Sequence, residues 1–176
     1  MDGTCTIRRA TPADAAAFAR SQIDAWRAAY DGILPAEFLA ALDHDRMTAR
    51  WERSLASPGE GVSQLVLCID GQVVGWSGFG APRDEVGDGV GEIHAINLSP
   101  AYWSRGLGSL LFAQSVRELA AMGYREAYLW VADGNARAVA FYERHGWHVD
   151  GVTQDDAGFT PPLRELRVVC PVLTPS

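Results

Sequence analysis

Residues 64–69 and 72–79 carry dense runs of Val, Leu and Ile on either side of Asp70-Gly71. Apolar runs of strand length around an Asp-Gly pair predict a two-residue β-hairpin. Upstream, residues 6–9 fit a short strand, and Thr11-Pro12-Ala13-Asp14 supplies a cap, a first-turn proline and an early acid for a helix. Ala15, Phe18, Ala19, Gln22, Ile23, Trp26 and Tyr30 then recur at helical spacing until Asp31-Gly32 interrupts them. A second helical region is predicted over 35–55, ended by Ser57-Pro58-Gly59. Beyond a polar, glycine-rich stretch at 82–91, the pattern predicts a strand over 92–98 and a helix over 106–122 carrying Leu107, Leu110, Leu111 and Leu119. A strand follows over 127–131. Asn135 caps a further helix with Ala138, Phe141, Tyr142 and His145 on one side and Gly146 as its stop. Two strands near 148–153 and 163–170 close the chain. The order predicts an α/β layered sheet of seven strands and four helices. No repeat or composition break divides it, so residues 1–176 read as one domain, with helices over roughly 12–57 ahead of a core over roughly 64–170.

Composition narrows this picture. At 176 residues and 48% apolar, the chain is long enough for one core of domain size. Fifteen Lys and Arg against 22 Asp and Glu give a net charge of −7. That field repels phosphate polymers and anionic lipid surfaces, so neither nucleic acid nor membrane is an expected partner, whereas a cationic amine is attracted. Cys5, Cys68 and Cys170 are odd in number, far apart and mostly set among apolar neighbours, which predicts buried free thiols in a reducing, cytoplasmic compartment. The most apolar stretch is cut by Asp70-Gly71, so no membrane span is expected. His44, His145 and His148 form no metal-ligand spacing with one another or with cysteine, and no metal is predicted.

The segment 92–111 places a strand, a glycine-rich turn and an amphipathic helix in succession. Gly106 and Gly108 let backbone approach a ligand, and the free N–H groups and positive dipole end of the helix favour a phosphate. Leu111 stands where a dinucleotide fingerprint needs its third glycine, and no Gly-Lys-Ser/Thr follows, which argues against a nucleotide-binding regulatory domain.

This turn, Trp103-Ser104-Arg105-Gly106-Leu107-Gly108, resembles the Gln/Arg-x-x-Gly-x-Gly/Ala signature of the GNAT N-acetyltransferases, with Trp103 in place of the usual Gln or Arg. A second block, Asn135-Ala-Arg-Ala-Val-Ala-Phe-Tyr-Glu-Arg-His-Gly-Trp147, is similar to the family's Asn-x-x-Ala-x-x-Phe-Tyr-x-x-x-Gly-Phe segment. The two stand in the family's order and spacing, and the resemblance covers roughly 64–170. It implies a mixed, mostly antiparallel central sheet flanked by helices, with acetyl-CoA as co-substrate and the amine of a small molecule or protein as acceptor. A homodimer is compatible with it.

The resemblance also implies roles for residues. Ser104, Arg105, Gly106, Leu107, Gly108 and Ser109 would receive the pyrophosphate, with Trp103 beside them and Arg105 adding positive charge. Asn135 would contact the cofactor arm as well as capping its helix. Backbone groups of Ile96, Asn97 and Leu98 would polarise the thioester carbonyl and pair with pantetheine. Tyr142 would protonate the leaving thiolate. An alkylamine near pKa 10 is almost wholly protonated at neutral pH, so a general base is useful. Glu92 stands at the offset from Trp103 where some members carry a catalytic glutamate, and His94 is the other candidate base. Trp26 and Tyr30 are candidates to line the acceptor pocket. Asp84, Glu85, Asp88, Asp155 and Asp156 are candidates to hold a cationic acceptor. The competing reading from another class is a module that keeps the cradle without catalysis, as an acyl-CoA sensor or partner domain.

Overall fold

The computed structural model describes residues 3–170 and Leu173. Within these residues seven strands form one sheet in the order β1-β2-β3-β4-β5-β7-β6. They are β1 (Cys5–Arg9), β2 (Val62–Ile69), β3 (Gln72–Gly80), β4 (Val90–Leu98), β5 (Glu126–Ala132), β6 (His148–Asp156) and β7 (Leu163–Cys170). Every neighbouring pair is antiparallel except β4 and β5. The Asp70-Gly71 turn takes φ of 50° and 80°, the two left-handed residues of a type I′ hairpin, as the sequence predicts.

Among the described residues five helices flank the sheet: α1 (Ala15–Ala29), α2 (Ala36–Ala40), α3 (His44–Ala56), α4 (Leu107–Ala121) and α5 (Ala136–Arg144). The helical region expected over 35–55 is two helices. The break falls at Asp43, whose side chain caps α3 by accepting the Arg46 N–H at 2.6 Å. Ahead of α1, Pro12–Asp14 forms a 3₁₀ turn. The Asp14 carboxylate there takes the Thr11 N–H at 2.8 Å and the Arg8 guanidinium through both oxygens.

One face of the sheet packs Val66, Cys68 and Trp76 against α1 and α3, with Phe18 stacked on Trp76 at 4.6 Å. The other face packs Leu67, Phe79, Ile93, Leu129 and Val168 against Leu111, Phe112 and Leu119 of α4 and against Tyr142 and Trp147. The thiols are not uniformly buried as expected. Cys68 is buried and Cys170 half-buried, but Cys5 is exposed, because β1 is an edge strand with little laid over it. Among the described residues no helix is long and apolar enough to cross a membrane.

Candidate active site

β4 and β5 pair for three residues only, Val90–Glu126, Gly91–Ala127 and Glu92–Tyr128. Beyond Glu92 they run on unpaired, to Leu98 and Ala132, and a cleft of about 1510 Å³ opens along them. Ile96, Asn97 and Leu98 line it from β4, Asn135, Arg137 and Tyr142 from the α5 segment, and Trp26 and Tyr30 from the end of α1.

The turn before α4 gathers backbone N–H groups that carry no backbone partner among the described residues. Ser104 (φ 60°) and Gly106 (φ 77°) are both left-handed, and a side chain at Gly106 would be strained at that φ although nothing crowds it. Among the described residues the N–H groups of 104–106 donate to no carbonyl, and those of 107–109 belong to the open first turn of α4. Six consecutive amides thus form a backbone nest at a helix N-terminus, and four of their residues, Ser104, Gly106, Gly108 and Ser109, line the cleft. Trp103 holds the turn in place, its indole N–H donating to the Leu98 carbonyl at 2.7 Å. The guanidinium of Arg137 lies 4.0 Å above the Trp103 ring, in cation–π contact beside those amides. Arg105 turns instead to the Tyr102 ring at 5.4 Å, and neither it nor Leu107 lines the cleft.

Glu92 is 0% exposed and does not line the cleft. Its Oε2 accepts the Arg83 backbone N–H at 2.8 Å and the Tyr128 hydroxyl at 3.1 Å, and its Oε1 accepts Arg83 Nε at 2.9 Å and Arg83 Nη2. Four donors occupy the two oxygens. His94 does line the cleft, from a bulge: Gly78 pairs with Ala95 and Phe79 with Ile93, leaving His94 unpaired in the β3–β4 ladder. Its Nε2 lies 2.8 Å from the Ala81 carbonyl and 3.8 Å from Glu92 Oε2. A carbonyl only accepts, so Nε2 carries the proton and Nδ1 keeps the lone pair. Burial lowers the His94 pKa, against the pull of the Ala81 carbonyl and Glu92, which keeps the ring neutral at pH 7.

Tyr142 is wedged among Phe112, Phe141 and Trp147, so its hydroxyl is held at the cleft wall. Burial raises its pKa well above the ordinary phenol value, with Tyr30 adding. Among the described residues that hydroxyl has no hydrogen-bond partner. The Tyr30 phenol is pushed up to about 12 by burial, then by Glu165 and Asp156. Asn135 caps α5 through the Ala138 N–H at 3.1 Å.

The cleft thus brings together Trp26, Tyr30, His94, Ile96, Asn97, Leu98, Trp103, Ser104, Gly106, Gly108, Ser109, Asn135 and Tyr142. Of the acidic loops, Asp84, Asp155 and Asp156 reach it, while Glu85 and Asp88 face solvent away from it. Asp84 accepts the Trp130 indole N–H at 2.8 Å. Sequence reasoning missed Arg83, Tyr128, Arg137, Phe159 and Glu165. The first two matter through Glu92, and the others stand on the cleft wall. Among the described residues no group of three or more His, Cys, Asp or Glu is placed to hold a metal ion.

The chain is similar along nearly its whole length to YuaI of Bacillus subtilis, named as an uncharacterized N-acetyltransferase: 29% identity over 173 residues, covering 93% of this chain and 97% of that one. It is 40% identical over 110 residues to a mycothiol acetyltransferase of Acidimicrobium ferrooxidans, a match of 61% of this chain to 34% of that protein, so the chain spans about a third of that relative. The fold is that of YncA of Salmonella typhimurium, solved with its cofactor acetyl-CoA, at a TM-score of 0.69, 24% identity and coverage of 98% and 96% of the two chains. The profile of the acetyltransferase (GNAT) family matches residues 23–147, around the open seam, the amide nest and the α5 block, and the chain belongs to that family.

Proposed function

We propose that the protein transfers the acetyl group of acetyl-CoA to a primary amine by direct attack in a ternary complex. The observation that carries this is the continuity of the cleft from Ser104, Gly106, Gly108 and Ser109 to His94 and Tyr142. The amide run and the Arg137 guanidinium fit a pyrophosphate, and the unpaired inner edge of β4 fits an extended polar arm lying where a neighbouring strand would pair. When bound, the co-substrate supplies an activated thioester carbonyl.

The chain's own groups then handle protons and position. His94 Nδ1 takes the proton from the ammonium and frees the lone pair, which suits a neutral imidazole on the cleft wall better than a glutamate whose oxygens already accept four donors. Glu92 and Arg83 act from behind, fixing the strand and the histidine. The amine nitrogen bonds to the acetyl carbon as the carbon–sulfur bond breaks; Tyr142, protonated at neutral pH, gives its proton to the departing thiolate and recovers one from the nitrogen, which becomes the neutral amide. Asn135 keeps α5, and with it Tyr142, in register.

Calorimetric titration with acetyl-CoA tests this directly. The expected result is micromolar binding to the native protein and loss of binding in Gly108→Leu. A Cβ at Gly108 alone would meet Phe141 at an ordinary 3.5 Å, whereas a longer side chain intrudes on the turn. Absence of binding to the native protein would overturn the reading.

A further inference from the structure

The far end of the cleft, away from the amide nest, has walls of a different kind. Trp26 lies 5.7 Å from Tyr30 and 5.6 Å from Phe159, and Phe159 lies 5.4 Å from Phe38. All four rings are half-buried and all line the cleft; Tyr30, Phe38 and Phe159 are backed by a small core of Leu34, Leu39, Ala132 and Leu163, so each rests on the fold with part of its surface left to the cleft. Phe159 is brought there by the β6–β7 turn, which Asp156 holds by accepting the Gly158 N–H at 2.8 Å.

Beside these rings stands Glu165 of β7, across from Ala132 at the open end of the seam. Its Oε2 accepts from Gln154 Nε2 at 2.8 Å, and the carboxylate is partly stripped of water. Arg83, the cation that influences it, is committed to Glu92. A half-buried carboxylate that forms no ion pair among the described residues, on the same cleft wall as a set of aromatic rings, is complementary to a cation on a flat apolar body.

Resting on the transferase reading above, we propose that the acceptor is a primary amine carried on an aromatic body, an arylalkylamine, whose ring enters among Trp26, Phe38 and Phe159 while Glu165 receives its ammonium. The ring supplies most of the affinity through apolar burial and stacking, and the carboxylate orients the nitrogen toward Tyr30 and the reacting end of the cleft.

Steady-state kinetics of the full chain with acetyl-CoA and phenethylamine test this against glucosamine and spermidine, two amines without a ring. Phenethylamine is expected to exceed both in kcat/KM by at least about tenfold, the effect of burying one ring-sized apolar group. Phe159→Ala should lower its kcat/KM about tenfold and that for glucosamine by a distinctly smaller factor. Glu165→Gln should raise the KM for phenethylamine while the calorimetric Kd for acetyl-CoA stays the same, which also verifies that each variant is folded. Preference for glucosamine or spermidine, or an equal loss on all amines in Phe159→Ala, would overturn the assignment. So would failure to acetylate any of the three by a protein that binds acetyl-CoA, leaving the transferase reading intact. Failure to bind acetyl-CoA would sink both.

Discussion

Replacing Arg83 by alanine should destabilise the protein by about 3 kcal/mol. Glu92 is 0% exposed, and Arg83 provides three of its four donors. Truncation strips Oε1 of both guanidinium bonds, while Oε2 keeps the Arg83 backbone N–H and the Tyr128 hydroxyl. Removing one partner of a buried ion pair costs about 3–5 kcal/mol. The lower end applies because half of the donors survive and because the Arg83 side chain is 60% exposed, so water reaches the space it leaves. For a domain of this size that corresponds to a fall in Tm of roughly 6–12 °C. The origin of the cost is tested by adding Glu92→Gln, which removes the charge and keeps the shape. The double variant should be more stable than Arg83→Ala alone by about 1–2 kcal/mol, a coupling typical of residues in direct contact. Urea unfolding of the native protein, Arg83→Ala, Glu92→Gln and the double variant at neutral pH, followed by circular dichroism, measures both quantities. If Arg83→Ala costs less than about 1 kcal/mol, or if the double variant gains nothing over it, Glu92 is not held as a buried charge and the argument fails.

Two other outcomes follow from the same geometry. Burial depresses the His94 pKa below its ordinary 6.5, so this residue contributes stability that is present above that pH and is lost as pH falls through the lowered value. Thermal unfolding across pH 5 to 7 should therefore show a shallower acid decline for His94→Asn than for the native protein, and parallel curves would contradict the assignment. Arg137→Ala, which removes the cation stacked on Trp103, should weaken acetyl-CoA binding about tenfold, as expected for one charge-assisted hydrogen bond, and should leave the binding of unphosphorylated pantetheine unchanged. Calorimetry with both ligands distinguishes that result from a general loss of the cleft.

The parts of this fold that were legible in the sequence are those with a local cause. Asp70-Gly71 demanded left-handed residues and received them, the strands followed their apolar runs, and Asn135 announced α5 by capping it. The turn at 103–108 was legible because its glycines recur in a known pattern. What escaped has its cause in the third dimension. Arg83 sits in a polar loop that gives no hint of reaching a glutamate at the far side of β4's first turn of chain, and Tyr128 meets the same carboxylate from another strand 36 positions on. Glu165 reads as an ordinary polar residue of β7 until the divergence of β4 and β5 places it on a cavity wall. Trp103 stands where the family pattern has Gln or Arg, and only the fold brings an arginine of the following block, Arg137, over its ring. The one local signal that was overlooked is Asp43, an N-cap type whose bond to Arg46 starts a new helix within the apparent single one.

The three-residue pairing of β4 with β5 means that the sheet is mechanically two ribbons riveted at one end: β1 to β4 on one side and β5, β7 and β6 on the other. Amide protons along the two facing inner margins lack the ladder that shields those in the middle of either ribbon, so they should be among the first strand protons traded for deuterium. A ligand arm lying in the gap and bonding to those margins would slow that trade locally. The pattern of deuterium uptake at the gap would then register occupancy of the site before any acetylated product is formed.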